Sequence, residues 1–302
     1  MVLNFYAYAA ILIFLVATLY RVIRIACTPV HLRWELYPVP HEGGKKAKYG
    51  GSYFEEVDWW TKTRHSSMIS ELSVMIPEIL FLKAVWEHNR GLWFWSWGFH
   101  FGLYLAVGVA GLSVVSSLVG ATTALGQGLI TVAGYMALGG YSLGSIGCVG
   151  LVLKRLTDPK LKDYTPVSAH FNLLFILAIF VSGLVTMITG TTAGYVGEVQ
   201  GVLTGLATFA PIVTSGMMVT HVVITLAFML YMPLTHMAHF VLKYFTYHSI
   251  RWNDEPMEAG SDLEKKINKS LGLKPTWAAA HLRMDGKKTW VDVATEEVFK
   301  DE

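Results

Sequence analysis

Thr220-His-Val-Val-Ile-Thr-Leu-Ala-Phe-Met-Leu-Tyr-Met-Pro-Leu-Thr-His-Met-Ala-His239 is a run of twenty residues without a formal charge. It places two imidazoles, His221 and His239, 18 residues apart. At 3.6 residues per turn this is about five whole turns, so one continuous helix would carry both rings on one face, roughly 27 Å apart. That length nearly matches a hydrocarbon core about 30 Å thick. The expectation is a membrane-crossing helix over 212–243.

The rest of the chain agrees with a membrane solvent. Of its 302 residues, 53% are hydrophobic and 15% charged. The mean hydropathy is +0.43. Together these place the chain outside the soluble globular class. No Lys, Arg, Asp or Glu occurs between Arg90 and Lys154, and from Asp163 to Lys243 the only one is Glu198. Five spans follow, at 4–25, 92–116, 128–153, 166–190 and 212–243, each with the roughly 20 apolar residues a crossing needs. The expected fold is an all-α membrane protein, a five-helix transmembrane bundle with a cytoplasmic interfacial helix and a cytoplasmic C-terminal tail.

The basic residues orient it. Ten lie from Arg21 to Arg90, four from Lys154 to Lys162 and ten from Lys243 onward, which is all 24. The positive-inside rule then puts the N-terminus outside and the C-terminus in the cytoplasm of a cell inner membrane. The basic residues are thus a topology signal and point to no nucleic acid. The first span lacks a basic segment before it and reads as a retained helix rather than a cleaved signal.

The segment 26–90 reads as a cytoplasmic loop belonging to a membrane domain of residues 1–250. Its aromatic-rich part, from His31-Leu-Arg-Trp to Asp58-Trp-Trp60, is expected to be ordered. Met68, Leu72, Met75, Ile79, Leu82 and Trp86 form an i, i+4, i+7 stripe, with Glu71, Glu78, Lys83 and Glu87 off it. This suits a helix lying at the membrane surface, in one piece or in two parted at Pro77. Residues 251–302 read as a docking tail with a short helix near Leu263 to Leu271. Gly140-x-x-x-Gly144 in the third span suits close helix packing, and would also let a flat macrocycle approach the backbone.

Five of the 11 histidines fall within the expected spans: His100, His170, His221, His236 and His239. Ionisable residues inside a membrane are costly and mark function more often than packing. On the topology above, His100 and His239 occupy the inner halves of antiparallel helices, where two neutral imidazoles could grip one low-spin iron porphyrin. Each ring would then need an acceptor for its other N–H, such as a carbonyl one turn earlier. His221, nearer the outer end, could hold a second haem. His170 and His236 are candidates for propionate, quinone or helix contacts. The two cysteines offer neither covalent haem attachment nor an iron–sulfur site, so a haem would be b-type and non-covalent.

Phe99-His100-Phe-Gly together with the 18-residue pair in Thr220-His-Val and Tyr231-Met-Pro-Leu-Thr-His-Met-Ala-His239 resembles the membrane cytochrome b (gamma) subunit of respiratory nitrate reductases. The run from Pro77 to Arg90 is more similar to the branch with the cytochrome b subunits of membrane heterodisulfide reductases and of the Dsr and Tmc complexes. The resemblance covers roughly residues 1–250. It implies a haem b subunit of a respiratory oxidoreductase complex, exchanging electrons between a (mena)quinone pool and a cytoplasmic, heterodisulfide-reductase-like iron–sulfur subunit. A periplasmic cytochrome c is a further candidate partner. In this resemblance His100 and His239 match inner-haem ligands, and His221 matches one ligand of an outer haem. The family pattern places a further His ten residues after His100, where this chain has Ala110. One haem is therefore expected, and a second is left open.

Quinone chemistry needs groups that can take or give protons beside the cofactor. Glu198, on the loop before the fifth span, could be such an acceptor or a solvated charge, and His170 and His236 make an inner-side site equally conceivable. Two other readings stand beside the electron-transfer one. One is a haem-poor, quinone-binding membrane anchor. The other is a proton channel or transporter relaying through histidines.

Overall fold

In the computed structural model, residues 1–28, 39–47, 49–279, 281 and 283–296 are described. Among them the protein is all helical. Five helices are long and apolar enough to cross a membrane. Four are α1 (Val2–Ala26), α4 (Arg90–Val119), α5 (Ala124–Thr157) and α6 (Val167–Thr189). The fifth span, Gly216–Leu234, is built on α8 (Gly216–Tyr231). Between the first two spans lie α2 (Met68–Phe81) and α3 (Lys83–His88). Between the last two lies α7 (Thr192–Ala207), and beyond them α9 (His239–Thr246) and α10 (Asp262–Leu271). Part of the aromatic-rich loop expected to be ordered, residues 29–38, lies outside the described residues.

The chain divides into two compact units, one of residues 1–18 and 75–237 and one of 19–74 and 238–302. In the first, α5 packs against α4, α6 and α7. Its glycines let the backbones meet: a Cβ added to Gly102 of α4 would stand 2.6 Å from Gly144 Cα. The ring of Phe180, on α6, lies against the same Gly144. Gly140-x-x-x-Gly144 is thus a helix-packing seam, closed by side chains and backbone. Around it Ala133, Ala137, Tyr141, Cys148 and Phe180 are buried. Apolar side chains such as Leu12, Leu15 and Val16 of α1 or Val107 of α4 are exposed, as a lipid-facing surface requires.

Three expectations from the sequence are corrected. The fifth crossing does not run as one helix to 243. Pro233 has no N–H to continue the ladder. After Tyr231 the chain makes a 3₁₀ turn over Met232–Leu234, and Thr235 is extended at φ −116°, ψ 179°. A second 3₁₀ turn, His236–Ala238, precedes α9. His221 and His239 therefore do not share a helix face, and His236 and His239 lie beyond the span. At the other end, Pro77 sits inside α2 and the break falls at Leu82, in the left-handed region at φ 50°. Lastly, Glu198 lies on α7, a helix where a loop was expected.

The second unit joins two segments nearly 200 residues apart in sequence. Asp254 is the hub. Its carboxylate meets His41 Nε2 at 3.0 Å and an Arg64 guanidinium nitrogen at 3.2 Å. The Tyr53 hydroxyl donates to its carbonyl at 2.6 Å. Trp252, Leu263, Ile267 and Met284 are buried in this unit. In this unit the loop between the first two spans and the segment from residue 238 onward pack together.

Two predictions follow from this packing. Gly144→Leu should lower stability by about 1–3 kcal/mol, because the added side chain meets the Phe180 ring. Gly111→Leu, where nothing lies within 4 Å of an added Cβ, should be near neutral. Thermal unfolding in detergent distinguishes them. In the second unit, hydrogen bonds from Lys46 and then Lys62 hold the Glu56 carboxyl down to about 2. An unfolded Glu titrates near about 4.3. Because the folded value is the lower, the stabilisation is present above about 4.3 and is lost as pH falls through about 2. Pepsin cleavage within 44–62 should accelerate over that interval, and Glu56→Gln should remove the pH dependence.

Candidate functional site

His100 sits three turns into α4, half-buried. Its Nδ1 lies 2.7 Å from the carbonyl of Ser96, one turn earlier. A carbonyl can only accept, so Nδ1 carries the hydrogen and Nε2 the lone pair. This is the tautomer and orientation that an iron ligand needs. His239 opens α9, is exposed, and belongs to the second unit. His170 is half-buried near the start of α6.

His221 has a different setting. It is buried, with Tyr141 of α5, Ser182 of α6 and Tyr195 of α7 around it, and all four side chains are less than a tenth exposed. Ser182 Oγ donates to the Ile179 carbonyl at 2.9 Å. That leaves it to accept from His221 Nδ1–H, also at 2.9 Å. Nε2 is then an acceptor, facing the hydroxyls of Tyr195 at 3.3 Å and Tyr141 at 3.4 Å. The two tyrosine hydroxyls are hydrogen-bonded to each other. One phenol donates to the other and the second donates to Nε2. Every hydrogen has an acceptor with the imidazole neutral.

That accounting decides what the cluster can do. Iron bound at Nε2 would have to displace both hydroxyls, so the residues present do not fit His221 as a ligand of the second haem that the sequence left open. Nor is the cluster a proton wire, since its far end is the Ile179 carbonyl, which cannot pass a proton on. It acts as a four-helix tie.

A second polar contact lies ten residues along both helices. The Tyr231 hydroxyl donates to Asn172 Oδ1 at 2.8 Å, and Asn172 Nδ2 donates to His236 Nε2 at 3.4 Å. Ser182 and Asn172 on α6 thus match His221 and Tyr231 on α8 with equal spacing, about 15 Å apart along antiparallel axes. His236 falls to this contact, in keeping with the helix-contact role open to it.

Glu198 binds the start of α8. Its carboxylate accepts from the Ser215 backbone N–H at 2.7 Å and from the Thr214 hydroxyl. Ser215 is the N-cap of α8, where a negative charge is favoured. Burial pushes the carboxyl up, but the hydrogen bonds from Thr214 and Ser215 outweigh it and the net shift is downward. Glu198 is thus a capping group at the start of α8.

Sequence reasoning missed Tyr141, Ser182, Tyr195, Asn172 and Tyr231. The matched ten-residue spacings on two neighbouring spans were the available signal; Tyr195 offered none without α7. Among the described residues no group of three or more His, Cys, Asp or Glu could hold a metal ion. Comparison with protein-family models, with curated proteins and with solved structures gave no match to this chain.

His221→Ala removes the acceptor of a buried tyrosine hydroxyl and the donor to Ser182 Oγ, and should cost about 1–3 kcal/mol in thermal unfolding. The pair Tyr141→Phe and Tyr195→Phe should be non-additive by about 0.5 kcal/mol or more in a double-mutant cycle.

Proposed function

We propose that this chain is the membrane subunit of a respiratory oxidoreductase complex, passing electrons between a lipid-soluble quinone and a cytoplasmic iron–sulfur protein through one b-type haem. The observation that carries this reading is the His100 ring. Its Nδ1 donates to the Ser96 carbonyl at 2.7 Å, which makes Nε2 the acceptor nitrogen of the ring, the one that coordinates a metal. His100 would bind the iron as a neutral imidazole. A b-type haem supplies reversible one-electron chemistry when bound.

The chain's own residues would do the rest. Ser96 fixes the His100 tautomer, and the seam at Gly102 and Gly144 holds α4 in place. The charge distribution of the sequence supports an inner-membrane orientation with α2 at the cytoplasmic surface. The ten basic residues from Lys243 onward support a cytoplasmic position for the segment that carries Asp254, where an iron–sulfur partner would dock. The His221 cluster supports a single-haem form of this reading.

The test is the reduced-minus-oxidised visible spectrum of the purified protein. Low-spin b-type bands are expected, with a haem content of roughly one per chain. His100→Ala should abolish the low-spin signal, while His221→Ala should keep it. A wild-type protein without haem bands would end the proposal.

A further inference from the structure

Where α2, α3 and α4 meet there is a cavity of about 310 Å³ lined by Pro77, Phe81, Lys83, Trp86 and Trp93. The volume falls at the lower end of small-molecule sites. Its walls are held in place. The Trp93 indole N–H donates to the Phe81 carbonyl at 2.7 Å. Trp86 meets Trp93 edge to face, with centroids 4.7 Å apart, and the Arg90 guanidinium lies 4.0 Å over the Trp86 ring. Leu82, buried and in the left-handed region, makes the corner between α2 and α3. A non-glycine residue there costs about 1–3 kcal/mol, and such strain gathers at binding sites.

We propose that this corner binds the headgroup of an isoprenoid quinone, a refinement that rests on the electron-transfer reading above. Aromatic faces and a proline favour a flat ring. Lys83 supplies N–H donors for a carbonyl oxygen; its one ion pair, with Glu87 at 3.7 Å, leaves other hydrogens of the ammonium to donate. The charges around the pocket balance. Lys83 and Arg90 are matched by Glu87 and by Glu78, whose carboxylate accepts from the Ala84 N–H at 2.9 Å. A neutral, acceptor-only ring suits that balance better than a phosphate headgroup. Phe81 and Trp86 are partly exposed at the rim, so a ring can enter sideways from lipid while its isoprenoid tail stays outside. Trp93 and His100 are seven residues apart on α4, hence on one face and roughly 10 Å apart along the axis. The site therefore lies on the His100 side of that helix, two turns away.

The full-length protein in detergent would be titrated with a short-chain 1,4-naphthoquinone, following tryptophan quenching, and labelled with a photoreactive azido-naphthoquinone mapped by mass spectrometry. Saturable binding and label within 77–93 are expected. Lys83→Gln and Phe81→Ala, both at exposed side chains, should each weaken binding by about tenfold with an unchanged thermal midpoint. Absence of saturable binding, label confined to other segments, affinity unchanged in both variants, or a co-purified phospholipid that the naphthoquinone does not displace from this corner would each overturn the site. Binding at this corner in a protein without haem bands would uphold the site and refute the electron-transfer reading. Haem bands with label elsewhere would do the reverse.

Discussion

The backbone-to-backbone approach of α4 and α5 at Gly102 and Gly144 is the contact on which the first unit rests. In lipid there is no hydrophobic drive to bring one apolar helix against another, so dispersion at close range must supply it. A side chain at Gly102 would hold the axes apart. Because the seam is tight, α4 is fixed in rotation as well as position. His100 and the row of Trp93, Trp97 and Tyr104 are then turned to the other side of α4, where these three donate to the carbonyls of Phe81, Leu80 and Ile79.

Polar groups supply the specificity that apolar packing lacks. Buried hydroxyls and imidazoles inside a bundle must find partners among themselves. The neutral cluster around His221 does this with one side chain from each of four helices. It also draws α7 onto the bundle, helped by the Gln200 amide donating to the Ser113 carbonyl at 3.4 Å. Asn4 of α1 reaches the chain beyond α7, donating to the Ala210 carbonyl at 2.8 Å and accepting from the Ile212 N–H. A histidine that looks like a cofactor ligand in isolation is, in this setting, part of what aligns the helices.

The break after Tyr231 separates the two imidazoles. It ends the fifth crossing near Leu234 and starts a new helix at His239, so the two imidazoles that open the sequence argument serve different ends. One belongs to the bundle's polar tie. The other begins the segment that continues into the second unit, where Asp254 joins the loop between the first two spans to the tail.

Much was legible from residues alone. The five crossings follow from charge-free runs, because ions are excluded from hydrocarbon whatever the tertiary arrangement. The Gly140–Gly144 seam and the helix over Asp262–Leu271 were readable for the same local reasons. The hydrogen bond from His100 to the preceding turn was also expected, since it needs only a helix. What composition could not convey was anything depending on which distant groups meet. Pro77 is tolerated inside α2 while the chain turns at Leu82 instead, and Pro233 ends a helix that periodicity would continue. Whether His221 faces iron or two phenols is set by the placement of α7, a helix the chain's pattern did not announce. Local chemistry determined which segments enter the membrane; only the packed structure decided which polar groups inside it are spoken for, because each buried donor binds whatever acceptor the fold brings within 3 Å or so.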